Sequence, residues 1–174
     1  MTMSKDLVIY TIGHSDHSTR DLIALLKRHR IACVIDVRSQ PYSRWVPQAN
    51  RETLARALEE AGLTYLFMGD SLGGRPSDPT LYEPDPADGD PVAARPDYDR
   101  LAATPAFQTG LERLLDLART ASVAMMCSEG DHRHCHRSLL ITPHLLARDV
   151  RVVHIRPDGT TVEARPEPKQ LSLF

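Results

Sequence analysis

The sequence predicts an α/β domain with three layers, in which a mainly parallel β-sheet carries helices on both faces. Short apolar segments rich in β-branched residues alternate along the chain with segments whose apolar residues recur at helical spacing. The apolar segments are hydrophobic without interruption, which is typical of strands buried on both faces of a parallel sheet. The length of 174 residues and the hydrophobic fraction of 41% suit one domain with a substantial core.

Five apolar segments have the length and composition of β-strands. The first begins at Leu7 and ends just before Gly13, a residue type that commonly marks the end of such a run. Hydrophobic periodicity does not determine which strands are neighbours, so the strand order stays open. The predicted strands are residues 7–12, 32–37, 64–68, 123–126 and 150–155.

The first three predicted helices have recognisable start signals. A serine, asparagine or threonine precedes the first apolar turn, and these are residue types preferred at a helix N-cap. A fourth helix is predicted over residues 138–147, where Pro143 should produce a kink because proline lacks an N–H group. The signals are Ser18 with Asp21, Asn50 with Gly62 at the far end, and Thr104 with Pro105.

Residues 1–157 are predicted to form a single α/β domain, and residues 158–174 an extended C-terminal tail. Within the domain, residues 69–103 contain six prolines and seven aspartates but few apolar residues. This segment is too long for an ordinary connection, so we predict an acidic, proline-rich flap or insertion.

Charge and composition exclude several classes of protein. The net charge of −2 and the pI of about 6.4 exclude a uniformly cationic nucleic-acid-binding protein, although a local basic patch stays open. No apolar run approaches the length of roughly 20 residues that crosses a bilayer, so we predict no membrane partner. The first six residues lack the apolar core of a signal peptide, which predicts a cytoplasmic protein. In that compartment the three cysteines are expected as thiols or ligands, without a structural disulfide.

Unusual polar residues and glycines follow the first four predicted strands. Ligands of open parallel α/β sheets bind beyond the carboxyl ends of the strands. We therefore predict one pocket to which all four strand ends contribute. The residues concerned are His14 and Ser15, Asp36 and Arg38, Gly73 and Gly74, and Cys127 and Glu129.

The segment over residues 127–137 concentrates reactive side chains before a predicted helix: two cysteines, three histidines, two arginines and two acids. The helix amides and the Arg137 guanidinium would favour an anion such as phosphate. A thiol held there would have a lowered pKa. We predict catalytic roles for Cys127 and Cys135 as thiolates and for Glu129 in proton transfer. The predicted substrate contacts are His14, Ser15, Asp36, Arg38, Gly73, Gly74, His136 and Arg137.

Two other interpretations of this segment stay open. One is a zinc site, for which the suitable ligands are Cys127, His132, His134, Cys135 and His136. The segment has no paired Cys-x-x-Cys spacing and would be crowded, so we predict no metal or cofactor, with zinc as the runner-up. In the other, Cys127 is a small buried apolar residue, and Glu129 and Arg137 form an ion pair that fixes the loop.

Structural roles also compete at the remaining positions. His14 and Ser15 could cap a loop, Asp36 and Arg38 could form a scaffold, and the glycine pair could be a plain turn. Trp45 lies among basic residues, which suits stacking on nucleic-acid bases, but core packing is the favoured interpretation for a single tryptophan.

Four ordered motifs resemble a bacterial family catalogued as Domain of Unknown Function 488. They are Thr-Ile-Gly-His-Ser at residues 11–15, Asp-Val-Arg at 36–38 with Pro41, Leu-Gly-Gly at 72–74, and the signature Cys127-x-Glu129…Cys135-His136-Arg137. The resemblance extends over residues 8–155 and implies an α/β fold with a site at these motifs. It implies no particular activity, and residues 77–99 depart from the family pattern by being richer in acid and proline.

The last five residues resemble the short peptide by which bacterial polymerases and repair proteins bind the DNA sliding clamp. Gln170 would supply a polar anchor, and the side chains of Leu171, Leu173 and Phe174 would fill apolar pockets of the clamp. Pro166 and Pro168 favour an extended tether before this peptide. The alternative is that the apolar residues pack on their own domain.

Together these observations predict a cytoplasmic enzyme that acts on a phosphate-bearing substrate, either a nucleotide or a nucleic acid, and is linked to DNA replication or repair. Cys127 or Cys135 would supply the thiolate, and Arg38 with Arg137 would bind the anion. The alternative is a non-catalytic module that binds nucleic acid or a nucleotide and is recruited to DNA by its tail.

Overall fold

The computed structural model describes residues 6–83 and 95–167, which contain one six-stranded sheet in the order β3-β2-β4-β1-β5-β6. Strands β1 to β5 are parallel, and β6 pairs antiparallel with β5. The predicted α/β fold with a mainly parallel sheet is therefore confirmed. The strands are β1 Val8–Gly13, β2 Cys33–Asp36, β3 Thr64–Phe67, β4 Val123–Cys127, β5 Arg151–Ile155 and β6 Thr161–Glu163.

Helices cover both faces of the sheet. On one face, α1 (Thr19–Arg28) and α2 (Arg51–Glu60) bury leucines against β2 and β4. On the other face, α5 (Pro105–Thr120) buries Phe107 and Leu111 against alternate residues of the same strands. Every residue of β2 and β4 is buried, which explains why their sequences are apolar without interruption.

Two of the three predicted helix starts have the expected side-chain cap. The Ser18 hydroxyl accepts a hydrogen bond from the Asp21 N–H at 3.1 Å, and the Thr104 hydroxyl accepts one from the Phe107 N–H at 3.2 Å. Asn50 occupies the N-cap position of α2 but does not cap it. Its side-chain oxygen instead accepts a hydrogen bond from the Ser43 N–H at 2.7 Å, so this residue holds the preceding loop.

The helix predicted over residues 138–147 consists of two parts. A π-helical turn, Arg137–Ile141, leads into the short helix α6, Thr142–Leu146. Pro143 is the second residue of α6, at the junction with the π-helical turn, and its missing N–H cannot donate to a carbonyl of that turn. The proline therefore marks a change of helix type, where the sequence predicted a kink within one helix.

The predicted boundary of the C-terminal tail, residue 158, is too early. Gly159 has a φ of +83°, and the Asp158 carboxylate accepts a hydrogen bond from the Thr160 N–H at 2.9 Å. This Asp-Gly turn reverses the chain, so that Thr161–Glu163 forms β6 at the edge of the sheet. Residues 158–163 thus belong to the domain.

The described parts of the predicted flap, residues 69–83 and 95–103, contain two short helices. These are α3, Gly69–Leu72, and α4, Tyr98–Ala102. The Glu83 N–H donates to the Arg95 carbonyl and the Asp97 N–H to the Leu81 carbonyl, each at 2.8 Å, so the two parts are paired. No helix in the described parts of the chain is long and apolar enough to cross a membrane.

Candidate functional site

The carboxyl ends of β1, β4 and β2 lie side by side, with β4 in the middle. Beyond β1, the His14 N–H donates to the Cys127 carbonyl and the Ser15 N–H to the Ser128 carbonyl, each at 2.9 Å. Gly13 is required here, because a Cβ atom on it would lie 1.8 Å from the Glu129 carbonyl oxygen. The loop after β4 is therefore held against β1, as the single-pocket prediction expects.

Two thiols form the centre of the site. The Sγ atoms of Cys127 and Cys135 are 2.7 Å apart, and both residues are nearly inaccessible, at 1% and 2% exposure. Ligand atoms of the two cysteines and of Glu129 all lie within 4.8 Å of one another. The π-helical turn that begins at Arg137 follows Cys135 and His136 directly, so it fixes their position.

His136 is oriented toward Cys135 by a backbone carbonyl. Its Nε2 is 2.9 Å from the Val37 oxygen, and because a carbonyl can only accept, Nε2 carries the proton. Its Nδ1 then faces the Cys135 Sγ at 3.8 Å and can accept a proton from it. Gly74 makes room for this ring, since a Cβ atom on it would lie 2.5 Å from the His136 Cβ.

The environment places negative charge on one sulfur of the pair. The hydrogen bond from the Cys127 thiol lowers the pKa of Cys135 below its ordinary value, against the opposing effect of burial, and His136 contributes in the same direction. The same hydrogen bond, together with burial, raises the pKa of Cys127 far above its ordinary value. These opposite shifts make Cys135 the more readily ionised thiol of the pair and favour the protonated form of Cys127.

Glu129 is an anion at neutral pH. Partial burial alone would raise the pKa of its carboxyl group, but hydrogen bonds from the Cys127 thiol, from its own backbone N–H and, while it is protonated, from the Cys135 thiol outweigh this effect and lower it. A carboxylate beside a thiolate suits the acceptance of a proton more than its donation.

Arg137 lies beneath the loop and does not line the cavity. Its exposure is 0%, and its Nη2 donates to the Glu129 carbonyl at 2.7 Å and more weakly to the Gly130 carbonyl at 3.4 Å. Its Nε and Nη1 have no hydrogen-bond partner among the described residues. Its charge favours the ionised form of the thiol of Cys127. Arg137 thus holds the backbone of the loop in place. The sequence had instead predicted a direct contact between Arg137 and the substrate.

Asp36 and Arg38 form a buried scaffold. Both oxygens of the Asp36 carboxylate accept from the Arg38 side chain, at 2.9 and 2.7 Å, and the Tyr65 hydroxyl donates to one of them at 2.6 Å. Arg38 Nη2 also donates to the Ala49 carbonyl at 2.8 Å. Burial and the bond to Asp36 raise the pKa of Tyr65. The pair holds the ends of β2 and β3 together and fixes the Arg38 side chain.

An open cavity of about 580 Å³ lies over the thiol pair. Six of the predicted site residues line it, namely Arg38, Gly74, Cys127, Glu129, Cys135 and His136. The other predicted site residues, His14, Ser15, Asp36, Gly73 and Arg137, do not line it. No role was predicted from the sequence for several other lining residues. Ser39 and Arg75 follow strands at the expected edge of the sheet, whereas Gln40, Tyr42, Arg95 and Tyr98 had no such signal.

The predicted site residues that do not line the cavity have structural contacts that explain their types. His14 is 5% exposed, its Nδ1 donates to the Ser15 carbonyl at 2.9 Å, and burial lowers its pKa, so it is neutral. Ser15 has a φ of 47° at the turn that follows. Gly73 permits close packing, since a Cβ atom on it would lie 2.3 Å from the Ser39 hydroxyl oxygen.

The favoured interpretation of Trp45 as a core residue is wrong. Trp45 is 85% exposed and Tyr42, on the same loop, is 75% exposed. Arg44, which directly precedes Trp45, was an available signal, because arginine side chains are almost never fully buried unless they are paired.

A zinc ion fits the arrangement only in part. Cys127, Glu129 and Cys135 offer two sulfurs and one oxygen within ligand distance of one another. Two sulfurs that share a tetrahedral zinc ion are about 3.7 Å apart, so the sulfurs would have to separate. His132 of the runner-up ligand set lies elsewhere, stacked on His154 with ring centroids 4.0 Å apart. The thiol pair could hold a metal ion with Glu129, without the other predicted histidines.

Gln170, Leu171, Leu173 and Phe174, the predicted clamp-binding residues, lie outside the described residues. Searches of curated proteins and of solved structures find no match. The model of one family, described as Domain of unknown function DUF488, matches residues 18–142, which include β2 to β4 and the cysteine-containing loop. The match covers most of the chain, and this chain therefore belongs to the DUF488 family.

Proposed function

We propose that this protein is a thiol-dependent hydrolase or transferase that acts on a phosphate-bearing substrate, either a nucleotide or a nucleic acid, in the cytoplasm. One observation carries the proposal: Cys135, with His136 at 3.8 Å and Glu129 nearby, lines the same cavity as Arg38, Arg75 and Arg95. A nucleophile, a proton acceptor and an anion-binding wall thus meet at one place.

Cys135 supplies the nucleophile. His136, which the sequence predicted as a substrate contact, instead takes part in proton transfer. The His136 Nδ1 accepts the thiol proton while its Nε2–H stays bonded to the Val37 carbonyl, which fixes the ring. The Cys127 thiol donates a hydrogen bond to the thiolate and stays protonated. This division of labour assigns the nucleophile to Cys135 and a supporting role to Cys127.

The reaction proceeds through a covalent thioester-like or thiophosphate-like intermediate. The Cys135 sulfur forms a bond to the electrophilic atom of the substrate, and the leaving group departs with the proton held by His136. In a hydrolase, the Glu129 carboxylate then accepts a proton from the water that cleaves the new bond to sulfur. In a transferase, an acceptor hydroxyl or amine takes the place of that water.

The arginines select an anionic substrate. Arg38 is held in place by both oxygens of Asp36, and the described bonds use its Nε and Nη2. Arg75, Arg95 and Tyr98 line the same cavity as Arg38. Guanidinium groups bind phosphate with directed hydrogen bonds, which supports a phosphate-bearing substrate.

The link to DNA replication or repair rests on the resemblance of residues 170–174 to a clamp-binding peptide. A bacterial sliding clamp is accordingly the proposed partner. The second candidate function is a non-catalytic binding module, favoured by the low exposure of Cys127 and Cys135, at 1% and 2%. In that case the thiol pair would stabilise the loop beneath a binding cavity.

The deciding experiment compares three cysteine variants on a panel of nucleotides and phosphorylated oligonucleotides. Cys135→Ser should abolish turnover while binding of the same compounds persists, and Cys127→Ala should slow it. Cys33→Ala is the matched control, because Cys33 is buried in β2 at 4% exposure and away from the cavity. Full activity of Cys135→Ser would refute the thiol mechanism, and binding without turnover by the unaltered protein would favour the binding module.

A further inference from the structure

The loop that follows β2 displays two aromatic side chains to solvent. Tyr42 is 75% exposed and Trp45 is 85% exposed, on a chain whose other described large apolar side chains are mostly buried. Large aromatic surfaces kept in water are a common mark of a binding surface. We call the Tyr42 and Trp45 side chains the aromatic platform.

The exposure does not come from a lack of local structure. The Asn50 side chain accepts from the Ser43 N–H at 2.7 Å, and the Ser43 hydroxyl accepts from the Trp45 and Val46 N–H groups at 3.1 and 3.2 Å. The Arg51 N–H donates to the Pro41 carbonyl at 3.0 Å and closes the loop. The backbone is thus held in a form that points both rings away from the core.

Positive charge accompanies the aromatic platform. The guanidinium of Arg44 lies 5.8 Å from the centroid of the Trp45 ring. Tyr42 also lines the cavity that contains Arg38 and Arg75, so one ring of the platform forms part of the wall of the candidate site. Aromatic rings beside arginines are the combination that binds stacked bases and the phosphates between them.

We infer that the aromatic platform binds the bases of single-stranded DNA and leads a phosphate of the same strand into the cavity. The entry of the phosphate into the cavity rests on the proposed function, because it uses the same arginines. Duplex DNA keeps its bases stacked on one another, and a single nucleotide offers one base for two rings, so an unpaired strand is the ligand that fits. DNA is chosen over RNA because residues 170–174 resemble a clamp-binding peptide.

The chain contains a single tryptophan, so its fluorescence reports on Trp45 alone. Titration with an oligo(dT) of about ten nucleotides should quench this fluorescence, and equal concentrations of inorganic phosphate should not. Tyr42→Ala should raise the dissociation constant about tenfold, the loss of one stacked base. For Trp45→Ala, a labelled oligonucleotide and its anisotropy replace the fluorescence signal, with a similar loss expected.

The matched control is Leu139→Ala, which removes another exposed apolar side chain that lines a different cavity. It should bind oligo(dT) as the unaltered protein does. Because Tyr42 and Trp45 are exposed, their alanine variants should keep the same melting temperature, which separates lost binding from lost folding. Equal binding by Tyr42→Ala and Leu139→Ala would overturn the inference.

The remaining outcomes are equally decisive. Absence of quenching by any oligonucleotide would overturn the inference and leave a protein partner for the platform. Tighter binding of oligo(rU) than of oligo(dT) would overturn the choice of DNA. Cys135→Ser should bind oligo(dT) as the unaltered protein does. Turnover that depends on Cys135, without quenching of Trp45 fluorescence, would overturn this inference and leave the proposed function intact. If oligo(dT) quenches the fluorescence but Cys135→Ser is fully active, the proposed function is wrong and the binding of the bases to the platform stands.

Discussion

Two loops that follow neighbouring strands differ in how far they expose their distinctive side chains to solvent. The loop after β4 buries Cys127, Cys135 and Arg137 at 2% exposure or less, while the loop after β2 leaves Trp45 85% exposed. Both loops contribute to one cavity. The loop after β4 thus keeps its thiols and its arginine away from water, whereas the loop after β2 exposes aromatic rings that a ligand can contact.

This difference has a physical reason. Removal from water by itself disfavours a thiolate, but it also strengthens hydrogen bonds, and the bond with Cys127 outweighs the cost of burial and lowers the pKa of Cys135. Stacking needs an open ring face and tolerates solvent. Substitutions in the buried loop and its scaffold should therefore reduce stability, whereas substitutions in the exposed loop should reduce binding alone.

The largest effect is expected from Asp36→Asn. This change leaves the Arg38 charge at 6% exposure without its carboxylate, and removal of one partner of a buried ion pair costs about 3–5 kcal/mol in free energy of unfolding. Urea denaturation followed by circular dichroism measures this loss. The control is Asp116→Asn, whose ion pair with Arg119 is exposed on both sides and contributes about 1 kcal/mol or less. Equal losses in the two variants would contradict the scaffold role of Asp36.

Gly74→Ala should have the next largest effect. The new methyl group would lie 2.5 Å from the His136 Cβ, and overpacking of this kind costs about 1–3 kcal/mol in free energy of unfolding. It should also displace the His136 ring from the Val37 carbonyl and so reduce the thiolate fraction of Cys135 at neutral pH. Unchanged stability together with an unchanged thiolate signal would show that Gly74 does not position His136.

The strands, helix caps and cavity-lining cysteines could be predicted because each depends on local sequence. Ser18 and Thr104 cap helices through neighbours three residues away, and Cys127 ends an apolar strand. The burial of Arg137 and the contribution of Tyr98 to the cavity depend on how distant loops pack, which no local pattern encodes. The three-residue strand β6 was missed because so short a segment has no clear periodicity, although the turn at Asp158 and Gly159 was a usable signal.

A pH titration of thiolate absorbance tests whether Cys135 is the cysteine of the buried loop that ionises first. Because the pKa of Cys135 is lowered, its thiolate should form at a lower pH than that of an ordinary cysteine and should be lost as the pH falls through that lowered pKa. Cys135→Ser should remove this step. Cys127→Ala removes the donor hydrogen bond and should move the step to higher pH. A step that persists in Cys135→Ser would assign the thiolate to a different cysteine.

Metal removal should have little effect, since we predict no obligatory metal. Dialysis of the purified protein against a chelator should leave its melting temperature unchanged, and metal analysis should find well below one equivalent of zinc. Binding of a structural zinc ion contributes directly to folding, so a large loss of stability would be visible. About one equivalent of zinc, lost together with stability, would overturn the prediction and assign the ion to Cys127, Glu129 and Cys135.

The smallest effect on the domain, and the most informative for its partner, is expected from the double change Leu173→Ala and Phe174→Ala. If residues 170–174 bind a sliding clamp, these two side chains fill apolar pockets of the clamp, and their loss should abolish binding measured by calorimetry with the purified bacterial clamp. A short peptide binds weakly because few contacts offset the cost of ordering it, so two anchors account for most of its affinity.

The melting temperature of the same double variant distinguishes a partner-binding tail from a structural one. An unchanged melting temperature with lost clamp binding fits a tail whose apolar residues are buried by the partner. Leu139→Ala, again an exposed apolar substitution elsewhere, should leave both measurements unaltered. If the double variant unfolds the domain, or still binds the clamp, the tail has another role. The choice of DNA for the aromatic platform would then lose its main support, while the stacking of an unpaired strand on Tyr42 and Trp45 would still be testable through the fluorescence of Trp45.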